Sequence, residues 1–144
     1  MDLYEELVHF YLTVVEGCAA IPQVPVLRSI DDEPWYAYPD FLALDFKERS
    51  IQIIEVSKAT TPSFPKLAEK LKPDHRKNVE HYIRTKTLNG QLPDFSICWR
   101  FFVREANIER LRSQQDFRDY ENSGGPARIT ALEKAFDEIR GQMP

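Results

Sequence analysis

Apolar positions in the first sixteen residues recur at helical spacing. Leu3, Leu7, Phe10 and Val14 form one row, and Val8, Tyr11 and Val15 form another. They predict a helix over 3–16, with Asp2 as its N-cap and Gly17 just past its end. Pro22, Pro25 and Pro34 exclude one continuous helix through the next stretch. Within it, 24–30 reads as a first strand and Asp31-Asp32-Glu33-Pro34 as a turn. Two runs of β-branched, aromatic and aliphatic residues follow, at about 38–45 and 51–57, joined by the short polar link 46–50. That arrangement predicts a hairpin. After a loop at 59–65, helical spacing returns over 63–86 in Leu67, Leu71, Val79, Tyr82 and Ile83. Pro73 must kink or split this helix, because it has no N–H to donate one turn back. Asn89-Gly90 marks a turn, and 95–103 is the most hydrophobic run in the chain, a buried strand. Asn107 is expected to cap a helix at about 108–118, and 121–126 is a loop. Arg128-Ile129 reads as a short strand. Thr130-Ala131-Leu132-Glu133 has capping-box spacing and opens a last helix to about 140.

The predicted order is helix, three strands, helix, strand, helix, helix. Strands separated by a long helix are expected to be parallel, and the earlier ones antiparallel. The expected fold is therefore α/β, a mixed central sheet flanked by helices. At 144 residues the chain is expected to form one domain, 1–144, with a core over about 3–104 and C-terminal helices over about 108–140.

Composition narrows the function classes. The net charge of −4 argues against a wholly basic nucleic-acid coat. It leaves room for a local basic patch, and Lys66, Lys70, Lys72, His75, Arg76, Lys77 and Arg84 supply one. Glu69, Asp74 and Glu80 offer a bland alternative, a balanced solvated helix face. Cys18 and Cys98 fit neither a metal-ligand spacing nor a disulfide framework, so they read as buried thiols in a reducing compartment. The N-terminus lacks the basic region of a signal peptide, and no apolar run approaches the ~20 residues that span a bilayer. A soluble, cytoplasmic protein without membrane partners is expected. His9, His75 and His81 make no metal-binding spacing.

The chemistry concentrates on the predicted hairpin. Asp40 opens its first strand, and Glu55 lies near the end of its second, inside the run Ile51-Gln52-Ile53-Ile54-Glu55-Val56. An unpaired carboxylate in so apolar a strand would be costly, which points to a role for Glu55. Two carboxylates so placed can converge on one hard divalent cation such as Mg²⁺ or Mn²⁺. Asp45 is at odd spacing from Asp40, so it faces the other side and reads as a turn residue. Trp35, Tyr36 and Tyr38, just before Asp40, are more simply packing residues than base-stacking ones.

This order of elements, with Pro39-Asp40 on one strand and Glu55 on the next, resembles the PD-(D/E)XK nuclease superfamily of restriction-endonuclease-like folds. The resemblance covers about 3–104. It implies metal-dependent hydrolysis of DNA phosphodiesters, with DNA ahead of RNA, Asp40 and Glu55 as metal ligands, and a lysine that orients or stabilises the attacking water. It also implies a first-helix glutamate near the metal. Glu6, one turn before Phe10 on the apolar side, is chosen over Glu5. The pattern asks for lysine at position 57, where the chain has Ser57, and Lys58 follows one residue late. Successive side chains on a strand face opposite sides, so Lys58 points away unless a bulge turns it back. Lys66 or Lys70 on the next helix could substitute, or the site could bind without cutting. The candidate residues are thus Asp40, Glu55 and Lys58 for catalysis, Asp40, Glu55 and Glu6 for the metal, and Ser57, Lys66 and Lys70 for substrate. The alternatives are an inactive module that binds nucleic acid or protein, and a small subunit of a larger nuclease or defence assembly. A homodimer is a further option.

Overall fold

The computed structural model describes residues 1–24, 26, 27, 36, 37, 39–86, 90–92, 94–123, 125 and 127–143. Helix α1 (Leu3–Phe10) opens on a capping box. Asp2 accepts from the Glu5 N–H, and the Glu5 carboxylate accepts from the Asp2 N–H. The chain then widens into a π turn at Tyr11–Val15, where the Glu16 N–H reaches back five residues to the Tyr11 carbonyl. Gly17 ends it with φ of 72°, a conformation that suits glycine.

Strand β1 is Ala19–Pro22. It lies earlier than the predicted 24–30, of which only Val26–Leu27 is a strand (β2), paired with Tyr36–Ala37 (β3) in a separate two-stranded ribbon. The turn expected at 31–34 lies outside the described residues. Strands β4 (Phe41–Asp45) and β5 (Ser50–Ser57) form the predicted hairpin in the register Phe41↔Ile54 to Asp45↔Ser50. Asp45 serves its turn by accepting from the Glu48 N–H. Pro73 splits the long helix as expected, into α2 (Phe64–Glu69) and α3 (Pro73–Lys86). Strand β6 (Ser96–Val103) then pairs parallel to β5. Two short helices follow, α4 (Ile108–Arg112) and α5 (Gln115–Asn122). Strand β7 (Ala127–Ala131) and helix α6 (Leu132–Gln142) complete the order.

The five-stranded sheet has the order β1-β4-β5-β6-β7, antiparallel through β5 and parallel beyond it. It is a mixed α/β sheet with helices on both faces. Period-2 alternation sorts its side chains. Leu42, Leu44, Ile51, Ile53, Trp99, Phe101 and Val103 pack under α2 to α5, while Phe41, Ala43, Ile54 and Phe102 pack under α1 and α6. Both cysteines are free thiols. Among the described residues no helix is long and apolar enough to cross a membrane.

Two expected caps are used differently. The Asn107 side chain makes no capping bond. Its amide donates to the Ala59 and Thr60 carbonyls and ties down the loop after β5. The Thr130 hydroxyl is taken by Arg100, and α6 starts at Leu132 without a side-chain cap. Arg100 is fully buried on the α1 side of the sheet. Its guanidinium donates to both carboxylate oxygens of Glu16, the side-chain amide oxygen of Gln52 and the Thr130 hydroxyl. Every N–H of such a fork needs an acceptor when desolvated. The π turn carries Glu16 and Tyr11 to it.

Candidate active site

Asp40 stands one step before the first paired residue of β4, directly across from Glu55 in the continued register. Its carboxylate accepts from the Val56 N–H at 2.7 Å and so prolongs the ladder with a side chain. Glu55 lies in line with Ile51 and Ile53, facing α2, and is 7% exposed. The Asp40 charge lies close enough to Glu55 to raise its carboxyl. The sequence-based expectation that these two acids meet on one side of the sheet therefore holds in the geometry.

The lysine on Glu55 is Lys70, with its ammonium 2.6 Å from the carboxylate. Lys70 sits at the C-cap of α2, between Ala68 and Leu71, which are both buried in the core. Those two anchors fix the turn that aims the side chain. Lys58 is placed elsewhere. Its ammonium pairs with Asp2 at 3.1 Å, and it is more than half exposed. The strand carries no bulge between Ser50 and Ser57, so position 58 has no means of returning to the Glu55 side. Ser57 is half-buried at the end of β5, on the Glu55 face by alternation. Lys66 is exposed.

Electrostatics mark the pair. Burial pushes the Glu55 carboxyl up to about 7. The Lys70 charge pulls it down, and the facing Asp40 raises it again. Glu5 is also raised, first by burial and then through the Asp40 charge, against the pull of its bond to Asp2. The Asp40 charge thus reaches Glu5 on the first helix. Glu6 is exposed because α1 turns the Val8-Tyr11-Leu12 row inward and the Phe10 row outward. The capping-box pattern Asp2-Leu3-Tyr4-Glu5 was the signal that could have singled out Glu5.

Contacts at the end of β6 brace the site. Arg104, at the end of β6, donates to the Lys58 carbonyl and the Tyr4 hydroxyl, which joins the β5 exit to α1. Two clefts of about 610 and 590 Å³ lie elsewhere. One runs along Ile129 and Lys134, and the other lies near Asp45 and Ser50 at the opposite end of the hairpin. Among the described residues no three His, Cys, Asp or Glu side chains gather as a protein-only metal cage. No protein-family profile, curated protein or solved structure matches the chain.

Proposed function

We propose that the protein is a divalent-metal-dependent nuclease hydrolysing DNA phosphodiester bonds, built on a restriction-endonuclease-like core. One observation carries this reading: Asp40, Glu55 and Lys70 converge at the open end of the hairpin. The order of helix, antiparallel strands, helical crossover and parallel strand supports it.

The donor set suits Mg²⁺ or Mn²⁺. Mg²⁺ is usually held by one or two carboxylates and keeps several waters, so it needs no cage. Asp40 and Glu55 would hold it. Burial raises the Glu55 carboxyl, and the Lys70 charge offsets only part of that rise. A bound cation would supply phosphate neutralisation, a more acidic water and stabilisation of the leaving oxygen. Within the chain, Asp40 is held rigid by the Val56 N–H and presents its carboxylate beside Glu55. Lys70 replaces the lysine missing at position 57. It brings a fixed positive charge to where negative charge develops and holds the Glu55 carboxylate in orientation.

A nicking assay on supercoiled DNA with Mg²⁺ or Mn²⁺ tests the reading, with single-stranded RNA as a parallel substrate. The wild type is expected to nick DNA, and Asp40→Asn and Glu55→Gln are expected to abolish nicking. If the protein binds metal and DNA without nicking, it is a binding module on the same scaffold. If it nicks only beside an added partner, it is a subunit of a larger assembly.

A further inference from the structure

We propose that the polar cleft beside the β4–β5 turn binds a small extended zwitterion, with its carboxylate toward Arg128 and its ammonium toward Asp45 and Glu48. The cleft holds about 590 Å³, and its lining includes Asp45, Lys47 and Glu48 at the turn, Gln52 on β5 and Arg128 on β7. It lies at the other end of the hairpin from Asp40 and Glu55. By alternation Gln52 also faces the opposite side of β5 from Glu55. The proposal is therefore independent of the nuclease reading.

Gln52 points to a ligand. It is 2% exposed. Its amide oxygen accepts from Arg100, a side chain that can only donate, and this fixes which end of the amide is oxygen. The NH₂ end donates to no group among the described residues, and the side chain lines the cleft. A desolvated donor left without an acceptor is costly, and an acceptor on a ligand removes that cost. Arg128 is exposed and makes no hydrogen bond or ion pair among the described residues. Cys98, the register partner of Gln52, lies on β6 between the two. Burial raises its thiol, and among the neighbouring charges that of Arg128 opposes the rise most. The guanidinium thus reaches over β6 toward Gln52. A guanidinium fork and an amide NH₂ on one side suit a planar carboxylate. Glu16 does not compete for Arg128, because Arg100 occupies both of its oxygens. The far wall has the opposite sign. Asp45 and Glu48 outnumber Lys47 there, and β5 and β6 separate that wall from β7. A simple anion meets repulsion at the turn, and a simple cation meets it at Arg128. A zwitterion satisfies both ends.

Proton–nitrogen correlation spectra of the full chain, titrated with ε-aminocaproate, test this. The Gln52 side-chain NH₂ signals should shift and saturate at a single site. Caproate and hexylamine, each lacking one charge, should bind at least tenfold more weakly. γ-Aminobutyrate and ω-aminocaprylate, titrated alongside, bracket the span between the two walls. Arg128→Met should weaken the best of the three zwitterions at least tenfold, and so should Asp45→Asn combined with Glu48→Gln. Arg128 and Glu48 are exposed, and asparagine at 45 keeps an acceptor for the Glu48 N–H, so the thermal midpoint should match wild type. Gln52 signals unmoved by all three zwitterions at tens of millimolar would overturn the proposal. So would caproate binding as tightly as ε-aminocaproate, or an affinity unchanged in Arg128→Met.

Discussion

At the scale of single residues, the ammonium that meets Glu55 comes from Lys70 and not from position 57 or 58. Lys70→Met should lower cleavage by about 10²–10³, the usual loss for one preorganised charge. Lys58→Met, which removes only an exposed pair with Asp2, should leave it within a few-fold. Glu55 also gives a stability signature. Its ordinary value is 4.5, and the fold holds its proton to about 7. Between those values the native state binds more protons than the unfolded chain, so stability falls as pH rises through this window. The loss is about 3 kcal/mol at 1.36 per pH unit. Urea unfolding of metal-free protein from pH 4 to pH 8 should show this decline, and Glu55→Gln should remove it. Glu16 has the opposite sign. Burial alone would raise it, but the bonds and charge of Arg100 leave it lowered. Its contribution is present above 4.5 and lost as the pH falls through its depressed value. Sequence could place Glu55 because a lone acid in an apolar strand is conspicuous. It could not choose among the lysines, because Lys70 reaches Glu55 only through the burial of Ala68 and Leu71 fifteen residues on.

At the scale of elements, the hairpin and the start and end of the first helix were legible, and strand β1 was not. Alternation and a short polar link fix the β4–β5 register, and the register alone sets Asp40 opposite Glu55. Strand β1 is only Ala-Ala-Ile-Pro, too short and too poor in strand-forming residues to stand out from the more apolar 24–30. Helix α1 has two apolar rows, and only packing decides which turns inward. That ambiguity is why Glu6 looked better placed than Glu5. The buried Arg100–Glu16 pair joins residues 84 positions apart, beyond the reach of any local pattern. Arg100→Met strands the half-buried Glu16 carboxylate and leaves Gln52 and Thr130 without their donor, so it should cost about 1–3 kcal/mol in chemical denaturation. The loop after β5 is held by the Asn107 amide. Asn107→Ala should cost about 1–3 kcal/mol for two lost hydrogen bonds. It should also speed amide exchange at 58–63 while leaving the β4–β5 core protected.

At the scale of the whole molecule, the proposed nuclease function requires an acidic chain to meet a polyanion through a local surface. Lys66, Lys72 and Lys77 are exposed on or beside α2 and α3, next to the site, and make no ion pair among the described residues. Replacing all three with glutamine should weaken DNA binding alike for all sequences. It should also flatten the plot of log affinity against log salt by about 2–3, near 0.9 per phosphate contact. The reading as a whole depends on Asp40 and Glu55 jointly holding one doubly charged ion beside Lys70. Titration calorimetry of Mn²⁺ into the full chain at pH 8, where Glu55 is ionised, addresses that most directly. One ion per chain is expected for wild type, with heat lost in both Asp40→Asn and Glu55→Gln. No binding by the wild type, or binding unchanged in both variants, would contradict it.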